Sequence, residues 1–292
     1  MTRTASLCLL SLTLSACGVG GGYQHSSTVP LASRGIAIVD DITAQTGMSG
    51  NTCMIDVPSG FFLADIDVAQ DTDHIEDSSG QAVLVRGSDG LHSFLPGQPS
   101  TLLLSGYLLD GALIDTGVVG VTADPGGLTA RWSGDVQAEV SLPDARWEDS
   151  TADPLTGTVF IAHDGLVEAI EPQGDSLIIG VGNLTVWDAV AEVLYVATVG
   201  GTQLAAYERD GSQRFATHLM GPIHAMAPLG GTGSVMVAVD DGGQGVVLHL
   251  DGISGRQRTH MSLPGPVDGL AASPSGNTLG FVSGDRVLFF HR

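Results

Sequence analysis

Short apolar runs alternate with clusters of glycine, aspartate, serine and proline along most of the chain. Runs of this kind, closed by turn residues after a few positions, favour short β-strands over long helices. Apolar runs that suit buried second strands begin near Ala82, Val118, Thr158, Val193, Ser234 and Thr278, with spacings of 36, 40, 35, 41 and 44 residues. The pattern therefore predicts an all-β chain built from a repeated unit of about 40 residues.

One segment of this unit occurs twice near the end of the chain. The segment Gly221–Ala227 reads Gly-Pro-Ile-His-Ala-Met-Ala, and Gly265–Ala271 reads Gly-Pro-Val-Asp-Gly-Leu-Ala, 44 residues later. Each copy precedes turn residues and another apolar run. A period of this length, made of short strands and turns, is typical of a β-propeller blade. Residues 34–292 hold about six such units, so we predict six blades, and seven also fit.

The two ends of the repeated region predict how the ring closes. Arg286–His291 has the pattern of a third strand in an incomplete last blade, and Ile36–Val39 is an apolar run that could supply its outer strand. Such pairing removes sheet edges that would otherwise aggregate. Each blade would bury its faces on its neighbours, so residues 34–292 are predicted to form one domain.

Two local patterns resemble known propeller repeats. In the early chain, Ile36–Val39, an aspartate turn, Thr52–Val57 and Phe61–Val68 follow the strand order of the YVTN-type repeat, and Gly245–Asp251 begins the same order again. The dipeptide Trp187-Asp188 is similar to the signature of WD repeats. Both resemblances imply a propeller fold.

The N-terminus carries a different pattern. One arginine precedes a short apolar core that ends in Leu14-Ser15-Ala16-Cys17, too short for a permanent bilayer span. This tetrapeptide resembles the lipobox of bacterial lipoproteins. The resemblance implies a signal peptide over residues 1–16, lipidation of Cys17, and a Gly- and Ser-rich tether over residues 17–33. By the sorting pattern of the lipoproteins it resembles, Gly18 rather than aspartate after the cysteine implies the outer membrane, with the periplasmic or the surface face left open.

The charge balance excludes one class of partner. The chain has 25 Asp, 7 Glu and 11 Arg but no Lys, and its net charge is −21. Nucleic-acid binding requires a basic surface, so no nucleic-acid partner is expected. Acidic turns that face water keep such a chain soluble.

Metal and catalytic patterns are weak. An acidic run offers oxygen ligands that Ca²⁺ could use, although it lacks the EF-hand spacing and also suits a solvated loop: Asp65, Asp67, Asp71, Asp73, Glu76 and Asp77. The sequence contains no nucleophile elbow, no His-Glu-x-x-His and no phosphate-binding loop. No cofactor is predicted.

A ligand site is predicted where the first strands of the blades begin, around the central channel. His224 and Asp268 occupy equivalent positions, two residues after Gly-Pro in the two repeats. Weaker matching places four more residues near the corresponding strand starts, Trp187, Asp188, Arg146 and Trp147, and Asp65 and Asp115 further along other first strands. These side chains could hold a small polar ligand or a metal, or they could simply hydrate the channel mouth.

The combined patterns favour a non-enzymatic, membrane-anchored lipoprotein whose propeller is a binding or scaffolding platform for a protein partner in the cell envelope. The alternative is a propeller hydrolase of the lactonase type, with a metal or polar site in the central channel. Propeller enzymes gather their sites from scattered residues, so missing motifs leave this alternative open.

Overall fold

The computed structural model describes residues 23–29, 35–38, 43–48, 51–56, 62–66, 72–78, 83–94, 99–230, 232–263 and 265–292. All of its regular elements are β-strands, and the described part contains no helix long and apolar enough to cross a bilayer. In chain order the strands are β1 (Gln24–Val29), β2 (Gly35–Ile38), β3 (Thr43–Met48), β4 (Asn51–Asp56), β5 (Phe62–Ile66), β6 (Thr72–Ser78), β7 (Val83–Gly87), β8 (Gly90–Phe94), β9 (Thr101–Ser105), β10 (Asp110–Ile114), β11 (Gly117–Asp124), β12 (Gly127–Gly134), β13 (Ala138–Pro143), β14 (Trp147–Ala152), β15 (Val159–His163), β16 (Leu166–Ile170), β17 (Ser176–Val181), β18 (Leu184–Asp188), β19 (Val193–Ala197), β20 (Gln203–Glu208), β21 (Gln213–His218), β22 (Ile223–Leu229), β23 (Ser234–Asp241), β24 (Gln244–Asp251), β25 (Gln257–Leu263), β26 (Gly269–Ala272), β27 (Thr278–Ser283) and β28 (Arg286–His291).

These strands form seven antiparallel four-stranded sheets within the described residues. Six sheets contain four consecutive strands each, starting at β2, β6, β10, β14, β18 and β22, and we number them blades 1 to 6. Blade 7 has the order β26-β27-β28-β1. The first strands of successive blades contact one another in a closed circuit from β2 through β26 and back to β2. The predicted all-β propeller is therefore confirmed, with seven sheets, the higher of the two numbers that the sequence allows.

Pairing of the N- and C-terminal strands closes the ring, as predicted, but the closing strand is not the predicted one. Strand β1 pairs with β28 from Gln24 opposite His291 to Val29 opposite Val287. The run that begins at Ile36 is instead β2, the first strand of blade 1. The boundary placed at residue 34 is thus corrected, because β1 lies inside the predicted tether of residues 17–33 and belongs to the propeller. Cys17 and the predicted signal peptide, residues 1–16, lie outside the described residues.

The core lies between the blades. The second strands are the most buried: the first four residues of β15 are fully buried, and Tyr195 on β19 and Phe281 on β27 have no exposed surface. One apolar cluster joins blades 3 and 4, and others join blades 4 and 5, 5 and 6, and 6 and 7. Burial of apolar surface between neighbours is what holds such a ring together.

The topology sorts the loops onto two faces. Loops that join first to second strands, and third to fourth strands, lie on one face, which we call the lower face. The remaining loops lie on the opposite, upper face. Because successive strands are antiparallel, this assignment follows from the strand order alone.

Candidate functional site

A cavity of about 720 Å³ runs along the centre of the ring. First strands β10, β14 and β18 line one side of it, and the ends of β22 and β26 line the other. The cavity reaches the lower face at the loops that contain Pro154, Val190, Gly230 and Pro274. A channel of this size at the centre of a ring is the usual place for a small ligand.

Two carboxylates lie on the cavity wall where blades 3, 4 and 5 meet. The buried Asp110 accepts hydrogen bonds from the Gly111 amide, at 2.8 Å, and from the Ser150 hydroxyl. Asp149 Oδ2 accepts from the Thr185 amide at 2.7 Å and from the Thr185 hydroxyl at 3.3 Å. Each of the bonds from Ser150 and Thr185 runs to the first strand of the preceding blade, so together they connect β10, β14 and β18. The carboxylates therefore bind the blades together as well as lining the cavity.

Burial raises the pKa of Asp149 to about 8, and the nearby charge of Asp110 acts in the same direction. Hydrogen bonds from Thr185 and Ser150 oppose the shift without overcoming it. Asp149 retains some exposed surface because it faces the channel, but protein surrounds it on most sides, which explains the large effect of desolvation. At neutral pH Asp149 is therefore largely protonated, and the channel is less negative than its sequence implies.

The residues predicted to form the ligand site are only partly brought together. Trp187, Asp188, Trp147 and Asp115 line the central cavity. Arg146 is exposed and lines a separate pocket of about 450 Å³ on the upper face.

His224 and Asp268 are exposed at equivalent entries to β22 and β26, and neither belongs to the lining of the central cavity. Asp268 accepts a hydrogen bond from the Gly284 amide at 3.1 Å. The predicted ring of ligands is thus divided between the central cavity and its upper mouth. Its role in binding stays a prediction.

The structure describes no side chain of the predicted acidic Ca²⁺ run. Asp67 and Asp71 lie outside the described residues, while Asp65, Asp73, Glu76 and Asp77 lie on β5 and β6, where only the backbone is described. Among the side chains that are described, no three of His, Cys, Asp or Glu converge on one metal position. The Ca²⁺ site stays a prediction.

Trp187 has a packing role in the structure. Its ring stacks on Phe160 of blade 4 with centroids 4.9 Å apart, and the Arg209 guanidinium lies 5.6 Å from its centroid. The contact places a large aromatic surface between blades 4 and 5, where such pairs are stabilising. Trp187 therefore fixes the wall of the cavity by packing between the blades.

The lower face carries a repeated turn that presents an aliphatic side chain to solvent. Three aspartates each accept, through Oδ1, a hydrogen bond from the amide two residues later: Asp153 from Leu155 (3.1 Å), Asp188 from Val190 (3.0 Å) and Asp251 from Ile253 (3.1 Å). Such Asx turns fix the backbone of a loop. The three aliphatic residues, which we call the aliphatic triad, are 60%, 66% and 75% exposed.

Each aspartate is itself held in place. Asp153 is fully buried and pairs with the Arg209 guanidinium from blade 5. The Arg258 guanidinium holds the pKa of Asp251 well below its usual range. Burial instead raises the pKa of Asp188, against hydrogen bonds from the Ala191 and Val190 amides. The aliphatic triad in blades 4, 5 and 6 is therefore preorganised.

Sequence reasoning missed both the carboxylate pair and the triad. The spacing Asp-x-aliphatic marks the triad, but it also occurs at Asp164-x-Leu166, Asp175-x-Leu177 and Asp268-x-Leu270, which do not form these turns on the lower face. Strand order places Asp164 and Asp268 on the upper face, whereas Asp175 lies in a lower-face loop and differs from the triad only in not forming the turn. Asp149 had one signal: the first strand β14 is polar from Glu148 to Thr151.

Comparison with known proteins identifies the fold. No family model and no curated protein matches the chain. A chain in the "Crystal Structure of Mitotic Checkpoint Complex" is similar, with a TM-score of 0.68 and 9% identity over 100% of this chain and 99% of that chain. The "WD40 beta propeller domain of Doa1" is similar, with a TM-score of 0.68 and 14% identity over 93% of this chain and 97% of that one. At these identities the likeness establishes a WD40-like propeller fold.

Proposed function

We propose that this protein is a non-enzymatic binding platform, lipid-anchored through Cys17 in the cell envelope, that engages a protein partner through its lower face. The observation that carries the proposal is the aliphatic triad, Leu155, Val190 and Ile253, each held by an Asx turn. Large aliphatic side chains on ordered loops bind with little loss of conformational entropy. One of the similar chains is part of the Mitotic Checkpoint Complex.

The proposed anchor constrains where the partner must be. Tyr23, at the start of β1, donates from its hydroxyl to the Gly276 carbonyl, which lies in a lower-face loop of blade 7. Only residues 18–22 separate Tyr23 from Cys17, and they span at most about 20 Å when fully extended. The lower face of a lipidated chain would then stay close to the bilayer. The expected partner is therefore an envelope protein at or in the membrane.

The test of the platform is a pair of triple variants. Leu155→Ser, Val190→Ser and Ile253→Ser together remove the aliphatic triad, while Tyr107→Ser, Val199→Ser and Met220→Ser remove matched exposed residues from the upper face. Both proteins should keep the unfolding midpoint of the parent, because exposed substitutions change stability by about 0.5 kcal/mol or less.

The readout is quantitative affinity capture from detergent-solubilised membranes of the source cells. The parent and the upper-face variant should enrich the same envelope protein, and the triad variant should lose it by about tenfold or more. Equal capture by both triple variants, or no protein enriched by the parent, would contradict the proposal.

The anchor has its own test. Cys17→Ser should move the protein from the membrane fraction to the soluble fraction, and the parent should carry acyl chains on the fragment that starts at Cys17. Two or three acyl chains anchor a protein stably because each buried methylene contributes about 0.8 kcal/mol. A parent that is soluble, or a membrane-bound variant, would exclude lipidation at this position.

The lactonase alternative has one observation in its favour, the carboxylate pair of Asp110 and Asp149 in the central cavity. A carboxyl group whose raised pKa keeps it protonated near neutral pH, as burial does for Asp149, could serve as a general acid. Hydrolysis of small lactones that is lost in Asp149→Asn would support an enzyme. If no lactone in the series is hydrolysed, the lactonase alternative is rejected and the binding platform remains the proposed function.

A further inference from the structure

The outer strand of blade 4 differs from the other outer strands of the ring. In β17 three apolar side chains are exposed: Leu177 is 45% exposed, Ile178 61% and Val181 71%. Strand β17 contains no charged residue, no histidine and no proline. An uncharged, apolar outer strand is an open edge to which another strand can add.

The outer strands of blades 3, 5 and 6 have features that block such addition, and β1, the outer strand of blade 7, is polar with a single apolar residue. Strand β13 carries Glu139 and ends at Pro143, β21 carries Arg214, and β25 carries Arg258. Charges and proline on an edge strand are the usual protection against strand pairing.

Strand β9 is also uncharged, but its edge is covered. The Ser133 hydroxyl donates to the Leu103 carbonyl at 3.2 Å, and the Arg131 guanidinium donates to the Ser105 carbonyl at 3.2 Å. Within the described residues, no group from another blade makes a hydrogen bond to the backbone of β17. The blade 5 loop at Gly211 lies beside Leu177 and the Ile178 carbonyl, but no hydrogen bond from the described part of another blade occupies the backbone of β17, whereas two do at β9.

A bulge sets the geometry of this edge. Glu168 pairs with Ile178 and Val167 with Gly180, so Ile179 is the extra residue. Because a bulge places two residues opposite one, side chains three positions apart then point to the same side of the strand. Ile178 and Val181 therefore share one side, where an added strand would place its own apolar residues.

The charges around β17 indicate which kind of strand could pair with it. Glu171 and Asp175 are exposed just before the strand, and Asp164 and Glu148 are exposed beyond its other end, beside Arg146. Arg209 of blade 5 pairs with the buried Asp153, so it does not neutralise these carboxylates. The chain as a whole has a net charge of −21. A second copy of this chain would place these carboxylates opposite one another, and like charges in paired strands are destabilising. A basic segment would meet opposite charge at both ends.

We propose that β17 binds, by strand addition, an extended segment of a partner protein that has alternating β-branched residues between lysines or arginines. This surface is separate from the aliphatic triad on the lower face, so it rests on the proposed binding function only in the general sense that both require a protein partner. Main-chain hydrogen bonds supply the affinity of such a contact, and the side chains and flanking charges supply its selectivity.

The test uses the soluble chain from Tyr23 onward and a synthetic peptide of alternating valine and threonine with two lysines at each end. Isothermal titration should show binding, and hydrogen exchange should slow at amides 176–181. The same peptide with glutamates in place of the lysines should bind with an affinity lower by about tenfold or more.

Two variants make the test specific. Ile178→Lys with Val181→Lys should abolish binding and protection, because lysine on an edge strand opposes addition, while Leu102→Lys on β9 should leave both unchanged. Loss of the aliphatic triad should have no effect here, which separates failure of this proposal from failure of the lower-face platform.

Three results would overturn the proposal. The first is no binding of the lysine peptide by the parent, and the second is protection at amides other than 176–181. The third is self-association of the parent that the two lysines remove, which would assign the edge to a second copy of the chain.

Discussion

Removal of residues 1–29 should open the ring and strongly destabilise the protein. Strand β1 pairs with β28 from Val287 to His291, and Tyr23 packs in the same cluster as Phe281 and Phe290. Without β1, β28 becomes an apolar edge strand and its buried Leu288 and Phe290 gain solvent exposure. We expect a loss of about 3–5 kcal/mol in the free energy of unfolding, from lost apolar burial and ladder hydrogen bonds, and association through the exposed edge.

The matched control is the chain that begins at Tyr23, which lacks the N-terminal residues but keeps β1. It should unfold in urea at the same midpoint as the longer protein and elute as a monomer on size exclusion. A synthetic peptide of residues 23–29, added to the shorter chain, should restore part of the lost stability. Equal urea midpoints for the chains beginning at Tyr23 and at Pro30 would contradict the role of β1.

The second large effect concerns pH. The pKa of Asp149 is about 8 in the folded protein against about 3.8 for an ordinary aspartate, so the folded state binds a proton that the unfolded state releases between these values. Stability then falls as pH rises through this window and levels off above about pH 8. Allowing for water in the channel, the loss from this one group is on the order of 3 kcal/mol.

Asp149→Asn should remove this dependence. The amide keeps an acceptor for Thr185 and carries no charge beside Asp110. Urea unfolding should give equal stabilities for the parent and the variant near pH 4, and a more stable variant at pH 8. Asp285→Asn removes the same charge at an exposed site and should keep the slope of the parent. A parent and an Asp149→Asn variant whose stabilities change in parallel with pH would show that Asp149 is ionised in the folded state.

How far the sequence predicts the fold can be seen strand by strand. The predicted second strands near Val118, Thr158, Val193, Ser234 and Thr278 coincide with or adjoin β11, β15, β19, β23 and β27, and the run near Ala82 adjoins β7. These strands lie inside their sheets and are buried on both faces, so they are continuously apolar and easy to detect.

The blade count and the closing strand were harder to predict because the strands involved are polar. The second strand of blade 1, β3, reads Thr-Ala-Gln-Thr-Gly-Met and gives no apolar run, so one repeat was not counted. Strand β1 reads Gln-His-Ser-Ser-Thr-Val, because an outer strand with a solvent-facing side needs few apolar residues. The apolar run at Ile36, which the sequence predicts as the outer strand of the last blade, is the first strand of blade 1.

The site was predictable only in part. The repeat placed His224 and Asp268 correctly at the entries to first strands, but an entry on the upper face is not the interior of the channel. The electrostatic interaction between Asp110 and Asp149 crosses from one blade to the next, and no local pattern encodes an interaction between residues that lie 39 positions apart. The aliphatic triad depends in the same way on which loops share a face.

The central claim is that the lower face binds a protein, and site-specific photocrosslinking in the source cells tests it most directly. A photoactivatable residue in place of Val190 would probe the triad, and one in place of Tyr107, also highly exposed, would probe the upper face. We expect a discrete protein adduct from position 190 and none from position 107. No adduct from position 190, only lipid adducts, or the same adduct from both positions would contradict a protein-binding lower face.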